Sequence, residues 1–303
     1  MSATRDLMCA LRARLGASDP APPRVPMPVV PAPPARVYAS RREPLRGDAE
    51  AARHTTALLG IGHVGTRYAT DVVLQFQAEL AVAHEAVAAE LPDGWAGDHG
   101  FVPLVSRVAS HREFLLRPDL GRRLAPDSLQ RLRDRAERGK DVQIILADGL
   151  SATACMGSGP ALYEALAAAC QRRGLSVGTA VCARFARVWL EDEIGQEVGA
   201  KVAVILLGER PGLGTGDGLS AYLVHGPQVG KTDGDRNMMS NIHARGTPPV
   251  EAADRLAALA RAMIEQGTSG VALDLARVAA EIERGYRAPQ VRQRLVERDR
   301  KEP

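Results

Sequence analysis

Asp141-Val-Gln-Ile-Ile-Leu-Ala-Asp-Gly-Leu-Ser151 decides how the rest of the chain is read. The apolar run Val142 to Leu146 reads as a buried strand, and the Asp-Gly pair that follows it breaks the run. Just upstream, a helix starts at Pro126 after Ala125 and runs to Arg138 with charges on its outer face, and Gly139 punctuates it before the strand. Downstream, the periodicity predicts helices over Pro160 to Arg173 and Pro249 to Gln266. Further strands are expected at Val177 to Cys182, Arg187 to Leu190, Val202 to Leu207 and Ala221 to His225. Strands that alternate with helices predict an α/β fold, a Rossmann-like and largely parallel sheet. The loop Asp148-Gly-Leu-Ser151 sits where such folds place functional groups. Its plainer reading, a turn with Ser151 capping the next helix, outweighs the functional one.

Outward from this centre, residues 51–138 form a helical subdomain, alanine-rich over Tyr68 to Glu90 and broken by Pro92 and Gly94. Residues 139–286 form the α/β domain, closed by a last helix over 271–286. The polar stretch 287–303 is expected to be an exposed tail. At the other end, Leu7, Leu11 and Leu15 are spaced four apart with Arg5, Arg12 and Arg14 between them, which predicts an amphipathic helix over residues 4–15 that Gly16 can end. From Pro20 to Pro34 there are eight prolines in fifteen residues, a composition that favours extended polyproline II, so residues 17–50 are read as a linker. A helix (1–16) on such a tether is either a docking peptide or a frayed terminus.

Composition excludes several classes of function. The 303 residues, 45% hydrophobic, suffice for real cores. Lys and Arg outnumber Asp and Glu by 39 to 36, and a dispersed +3 does not make a nucleic-acid surface. Cys9, Cys155, Cys170 and Cys182 show no metal-ligand spacing, so reduced thiols in a cytoplasmic protein are expected, with no disulfide. No stretch reaches the roughly 18 apolar residues of a membrane span, and no secretory signal opens the chain.

Two glycine-rich loops invite nucleotide readings. Gly226-Pro-Gln-Val-Gly-Lys-Thr232 has three residues between its glycines, whereas a P-loop needs four. Gly212-Leu-Gly-Thr-Gly-Asp-Gly218 follows a strand, yet it misses the dinucleotide spacing and opens no helix pattern. The seven histidines give no H-x-x-x-H pair, so no protein-held metal is expected.

Longer motifs carry more. Arg117-Pro-Asp-Leu-Gly-Arg-Arg-Leu124 and the opening stretch Asp141 to Ser151 are followed in order by Glu191-Asp-Glu-Ile-Gly195, Gly199-Ala-Lys-Val and Gly208-Glu-Arg-Pro-Gly-Leu-Gly214. Ser240-Asn-Ile-His243 and Gly246-Thr-Pro-Pro-Val-Glu-Ala252 complete the series. Over residues 65–273 this series resembles the light (small) subunit of ethanolamine ammonia-lyase. The resemblance implies a carbon–nitrogen lyase that converts ethanolamine to acetaldehyde and ammonia, and a hetero-oligomer with a barrel-shaped large subunit that carries the substrate pocket. It implies the cofactor adenosylcobalamin, a cobalt corrinoid held between the two chains, whose radical chemistry the protein binds and orients. It assigns no catalytic residue to this chain. Cobalamin contacts carry over to Val188, to Glu209 and, where the family has a cysteine, to Met238. The docking peptide would then address a bacterial microcompartment. Two other readings stay open: a standalone nucleotide-using α/β enzyme, and an assembly subunit without cofactor contact.

Overall fold

The computed structural model describes residues 63–212, 216–244 and 246–286. The expected docking helix, the proline-rich linker and the polar tail lie outside the described residues. A short antiparallel hairpin, β1 (His63–Val64) and β2 (Arg67–Tyr68), turns at Gly65, whose φ of 63° suits glycine. Helix α1 (Thr70–Ala88) follows, then the single turn α2 (Trp95–Asp98), β3 (Val102–Val105), α3 (His111–Leu116) and α4 (Pro126–Arg135). Next come β4 (Val142–Ala147), α5 (Ala152–Gly157), α6 (Gly159–Arg172), β5 (Val181–Arg184), α7 (Leu190–Val198) and β6 (Val202–Gly208). The chain closes with β7 (Leu219–His225), β8 (Arg236–Ile242), α8 (Pro249–Gln266) and α9 (Leu275–Tyr286).

Six strands form one mixed sheet in the order β3-β5-β4-β6-β7-β8. The pairs β3–β5, β5–β4 and β4–β6 are parallel; β6–β7 and β7–β8 are antiparallel. Central β4 and β6 are buried along their whole length, which explains why they read as unbroken apolar runs. One face carries Val142, Ile144, Leu146, Val204 and Leu206 against α5, α6 and α8, through side chains such as Leu162, Leu166, Leu256 and Met263. The other face carries Ile145, Ala147, Ile205 and Leu207 against Leu132 of α4 and Leu190, Ile194 and Val198 of α7. Truncating a fully buried member such as Leu166 or Ile205 to alanine costs about 2–5 kcal/mol. Alanines at 165, 167, 169, 257 and 260 let α6 and α8 approach closely, and Arg172 reaches Asp254 across them at 2.8 Å.

Several boundaries differ from the sequence reading. Residues 187–190 are not a strand: Leu190 N–H bonds Arg187 C=O in a turn, and α7 begins there. Three acids in the first turn and apolar residues four apart, Leu190, Ile194 and Val198, fit a helix better than an extended segment. The expected strand at Val177 starts at Val181, with Val177 contributing one bridge to Val142. Helix α4 ends at Arg135 because Ala136 is already extended. Strands β3 and β8 are the two edges of the sheet and were not anticipated. A proline sits in Val-Pro-Leu-Val, and β8 reads Arg-Asn-Met-Met-Ser-Asn-Ile; edge strands tolerate both proline and polarity. Cys155, Cys170 and Cys182 are buried free thiols. No helix among the described residues is long and apolar enough to cross a membrane.

Candidate functional site

The carboxyl ends of β4, β5 and β6 lie side by side, and their exit loops are locked together. Ser151 caps α5 by accepting from Ala154 N–H at 3.1 Å, as its turn reading required. Gly149 and Gly208 let the two exits touch backbone to backbone: a Cβ on Gly149 would stand 2.3 Å from Gly208 O, and one on Gly208 would meet Ser151 O at 2.2 Å. Leu150 N–H then bonds Gly208 C=O at 2.8 Å. This contact fixes where the chain leaves β6, and the next residue is Glu209.

Asp148 clamps the neighbouring exit. Its carboxylate accepts from Phe185 N–H at 2.8 Å and Ala186 N–H at 3.2 Å. Phe185 has φ of 55°, a left-handed conformation that costs an L-residue about 1–2 kcal/mol, and the two bonds hold it there. Burial pushes the Asp148 carboxyl up to about 7, against the pull of those backbone donors. Beyond the clamp, Arg187 lies 4.1 Å over the Phe114 ring and donates to Phe114 C=O at 2.7 Å. Val188 comes next, half-buried against the cluster that contains Leu190, Ile205 and Leu207.

Of the three residues singled out from the sequence, two converge. Tyr222 of β7 donates its hydroxyl to Glu209 Oε1 at 3.2 Å, and Met238 of β8 is the cross-strand partner of Tyr222. Glu209 is therefore held by a tyrosine and makes no ion pair with its neighbour Arg210 among the described residues. Its second carboxylate oxygen has no hydrogen-bond partner among the described residues. Met238 is 54% exposed, and Tyr222 is half-buried. Tyr222, Met238 and Val188 share the α4–α7 side of the sheet, where Met238 is exposed while Val224 and Arg236 beside it are buried. Val188 flanks this patch from the start of α7 without touching Glu209 or Met238 in any recorded bond.

A buried charge cluster forms the floor beside it. Arg236 of β8 bonds Glu191 Oε1 at 2.6 Å and Asp192 Oδ2 at 3.1 Å, with all three side chains buried. Burial raises the Glu191 carboxyl above the usual range, outweighing Arg236, and raises Asp192 in the same direction. The Trp189 ring lies between the guanidinium groups of Arg122, at 4.1 Å, and Arg236, at 5.5 Å. Sequence reasoning quoted these acids only as motif letters, marked Asp148 only through its loop, and missed Tyr222 and Arg236. Period-two register from Ile205 to Tyr222 to Met238 is the signal that finds the tyrosine.

A patch of an exposed methionine, a half-buried tyrosine and a carboxylate with one oxygen unbonded among the described residues suits a large ligand rimmed by amides. The carboxylate accepts from amide N–H groups and the methionine gives apolar contact. Among the described residues no cluster of three or more His, Cys, Asp or Glu is placed to hold a metal ion. The loop Gly226–Thr232 runs into the turn Asp233–Asp235 and strand β8, and no helix opens there to receive a phosphate as in a P-loop. A family model for the ethanolamine ammonia-lyase light chain (EutC) matches residues 48–274, the span that holds the whole sheet and every side chain of this site.

Proposed function

Since the chain belongs to the ethanolamine ammonia-lyase light-chain family, we propose that it is the small subunit of an adenosylcobalamin-dependent ethanolamine ammonia-lyase and holds one side of the cofactor against the large subunit. The family makes it one chain of a hetero-oligomeric lyase. The observation that carries the cofactor reading is the convergence of Glu209 and the exposed Met238 on Tyr222. Helices on both faces of the parallel strands support reading the body as Rossmann-like, with its ligand at the strands' carboxyl ends.

When bound, the cofactor supplies the radical chemistry that converts ethanolamine to acetaldehyde and ammonia. The chain's own residues bind and orient. Glu209 accepts from a rim amide through its free oxygen while Tyr222 fixes the other. Met238 and Val188 give apolar contact, and the Asp148 clamp keeps the Val188 loop in place. No proton transfer to substrate is assigned to this chain. Reconstitution with the large subunit tests the reading. Ammonia release from ethanolamine that requires both chains and adenosylcobalamin is the expected result; release by the large chain alone at the same rate would remove the proposed role.

A further inference from the structure

The Gly230-Lys231-Thr232 end of the loop does not form a P-loop, yet it delivers a lysine to a cleft of about 290 Å³. Val229, Gly230 and Lys231 line it together with Asp119, Arg122, Arg123, Trp189 and Asp192. The charges in this cleft do not cancel. Asp192 is taken by Arg236 at 3.1 Å, and Asp119 at the rim by Arg117 at 2.7 Å. Arg123 is taken by Glu193 at 3.1 Å. Arg122, stacked on Trp189, has no ion-pair partner among the described residues, and half-buried Lys231 makes no direct ion pair there either, although its charge acts on Asp192 and Asp235 nearby. Thr232 is occupied too, its hydroxyl and N–H both bonding Asp235. What remains is a guanidinium fork and an ammonium facing one small space, the donor set that phosphate oxygens take.

We propose that this cleft is a phosphate-ester subsite, and that the ester is the phosphodiester in the nucleotide tail of a corrinoid lying on the neighbouring Tyr222–Met238 patch. The proposal rests on the cofactor reading above. Continuity supports it: Trp189 follows Val188 in the chain, and Arg236 behind the Trp189 ring stands two residues before Met238 on the same face of β8. Size supports it as well, since a cleft of about 290 Å³ is at the lower limit of ligand pockets and takes a phosphate group but no macrocycle.

The test compares cobalamin with cobinamide, which has the corrin ring but lacks the nucleotide tail, by spectral titration of the two-subunit complex. Arg122→Gln with Lys231→Gln removes both charges, and with Arg122 its stacking on the half-buried Trp189 ring. Cobalamin affinity is expected to fall about 10–100-fold in the double variant, with cobinamide affinity within about 2-fold of wild type. Inorganic phosphate at millimolar levels should raise the wild-type half-saturation for cobalamin and leave that of the variant unmoved. Equal losses for both corrinoids, or no loss for cobalamin, overturn the subsite. If the wild-type complex binds neither corrinoid, the cofactor reading falls and with it the tail; thermal stabilisation by phosphate that disappears in the double variant then keeps a free phosphate ester as the ligand, and no such stabilisation removes the subsite altogether.

Discussion

Glu209 has one carboxylate oxygen on the Tyr222 hydroxyl and one without a partner among the described residues, so its substitution separates holding from positioning. Glu209→Ala should raise the adenosylcobalamin concentration for half-maximal ammonia release by about 10–100-fold, the loss of one charge-assisted bond of about 1.5–3 kcal/mol. Glu209→Gln keeps an acceptor and should lose less, and turnover at saturating cofactor should fall far less than affinity in both. Unchanged half-saturation in Glu209→Ala, with subunit association confirmed, returns Glu209 to a surface role. Asp148 makes a different prediction. Its carboxyl titrates near 7 when folded and near the ordinary carboxylate value, about 4, when unfolded, because burial disfavours its charge. Between those values the folded chain keeps a proton that the unfolded chain has released, so this residue's contribution to stability declines as pH rises from about 4 to 7. Asp148→Asn removes that slope, by up to about 1.4 kcal/mol per pH unit. The variant also offers one acceptor for two N–H groups and should lose about 1–3 kcal/mol at pH 5. Thermal melts at pH 5, 6 and 7 read both effects; an unaltered pH slope in the variant would show that the carboxylate is charged throughout. Sequence marked the Asp148 loop as a turn with a helix cap in preference to a functional loop, and gave no sign of the clamp. A clamp made to a backbone 37 residues away leaves no local trace, whereas a glutamate after an apolar strand can be placed by position alone.

At the scale of elements, α7 concentrates what the sequence hid. Its first turn carries Glu191, Asp192 and Glu193, all buried, a pattern that reads as a solvated charge run until β8 supplies Arg236. β8 itself was illegible because a polar edge strand alternates weakly and has one neighbour. The interior strands β4 and β6 and helix α8 were legible for the opposite reason: complete burial needs unbroken apolar runs, and Pro249 and Gly267 mark both ends of α8. The triad dictates a graded response. Arg236→Met leaves two buried carboxyls without their cation and should cost about 3–5 kcal/mol in denaturant unfolding. Glu191→Gln leaves the Arg236–Asp192 pair intact, removes a group that burial already pushes toward its neutral form, and should cost under about 1 kcal/mol near neutral pH. Equal costs for the two substitutions would mean that Glu191 is charged and carries as much of the pairing as Asp192.

For the molecule as a whole, the candidate site is half of a site. Ligand pockets commonly cover 70–90% of a ligand, and a sheet face with Met238 54% exposed covers one side at most. The large-subunit partner that the family implies would supply the other side. None of the candidate residues falls within residues 1–35, so deleting that segment should leave ammonia release by the reconstituted complex nearly intact; lost activity in a correctly folded complex would give the N-terminal segment more than a docking role. The shared site makes a sharper demand on affinity. If each chain contributes comparable contact, the isolated chain forfeits about half of the binding free energy, and since each 1.4 kcal/mol is tenfold, a pair that binds cobalamin near about 1 μM leaves the single chain near the millimolar range. Equilibrium dialysis of the isolated chain, the isolated large subunit and the complex measures all three. Weak binding by each chain alone and tight binding by the complex is the expected pattern. Sub-micromolar binding by this chain alone would require a closed pocket that the open β7–β8 face does not provide, and would overturn the shared site while leaving membership of the family untouched.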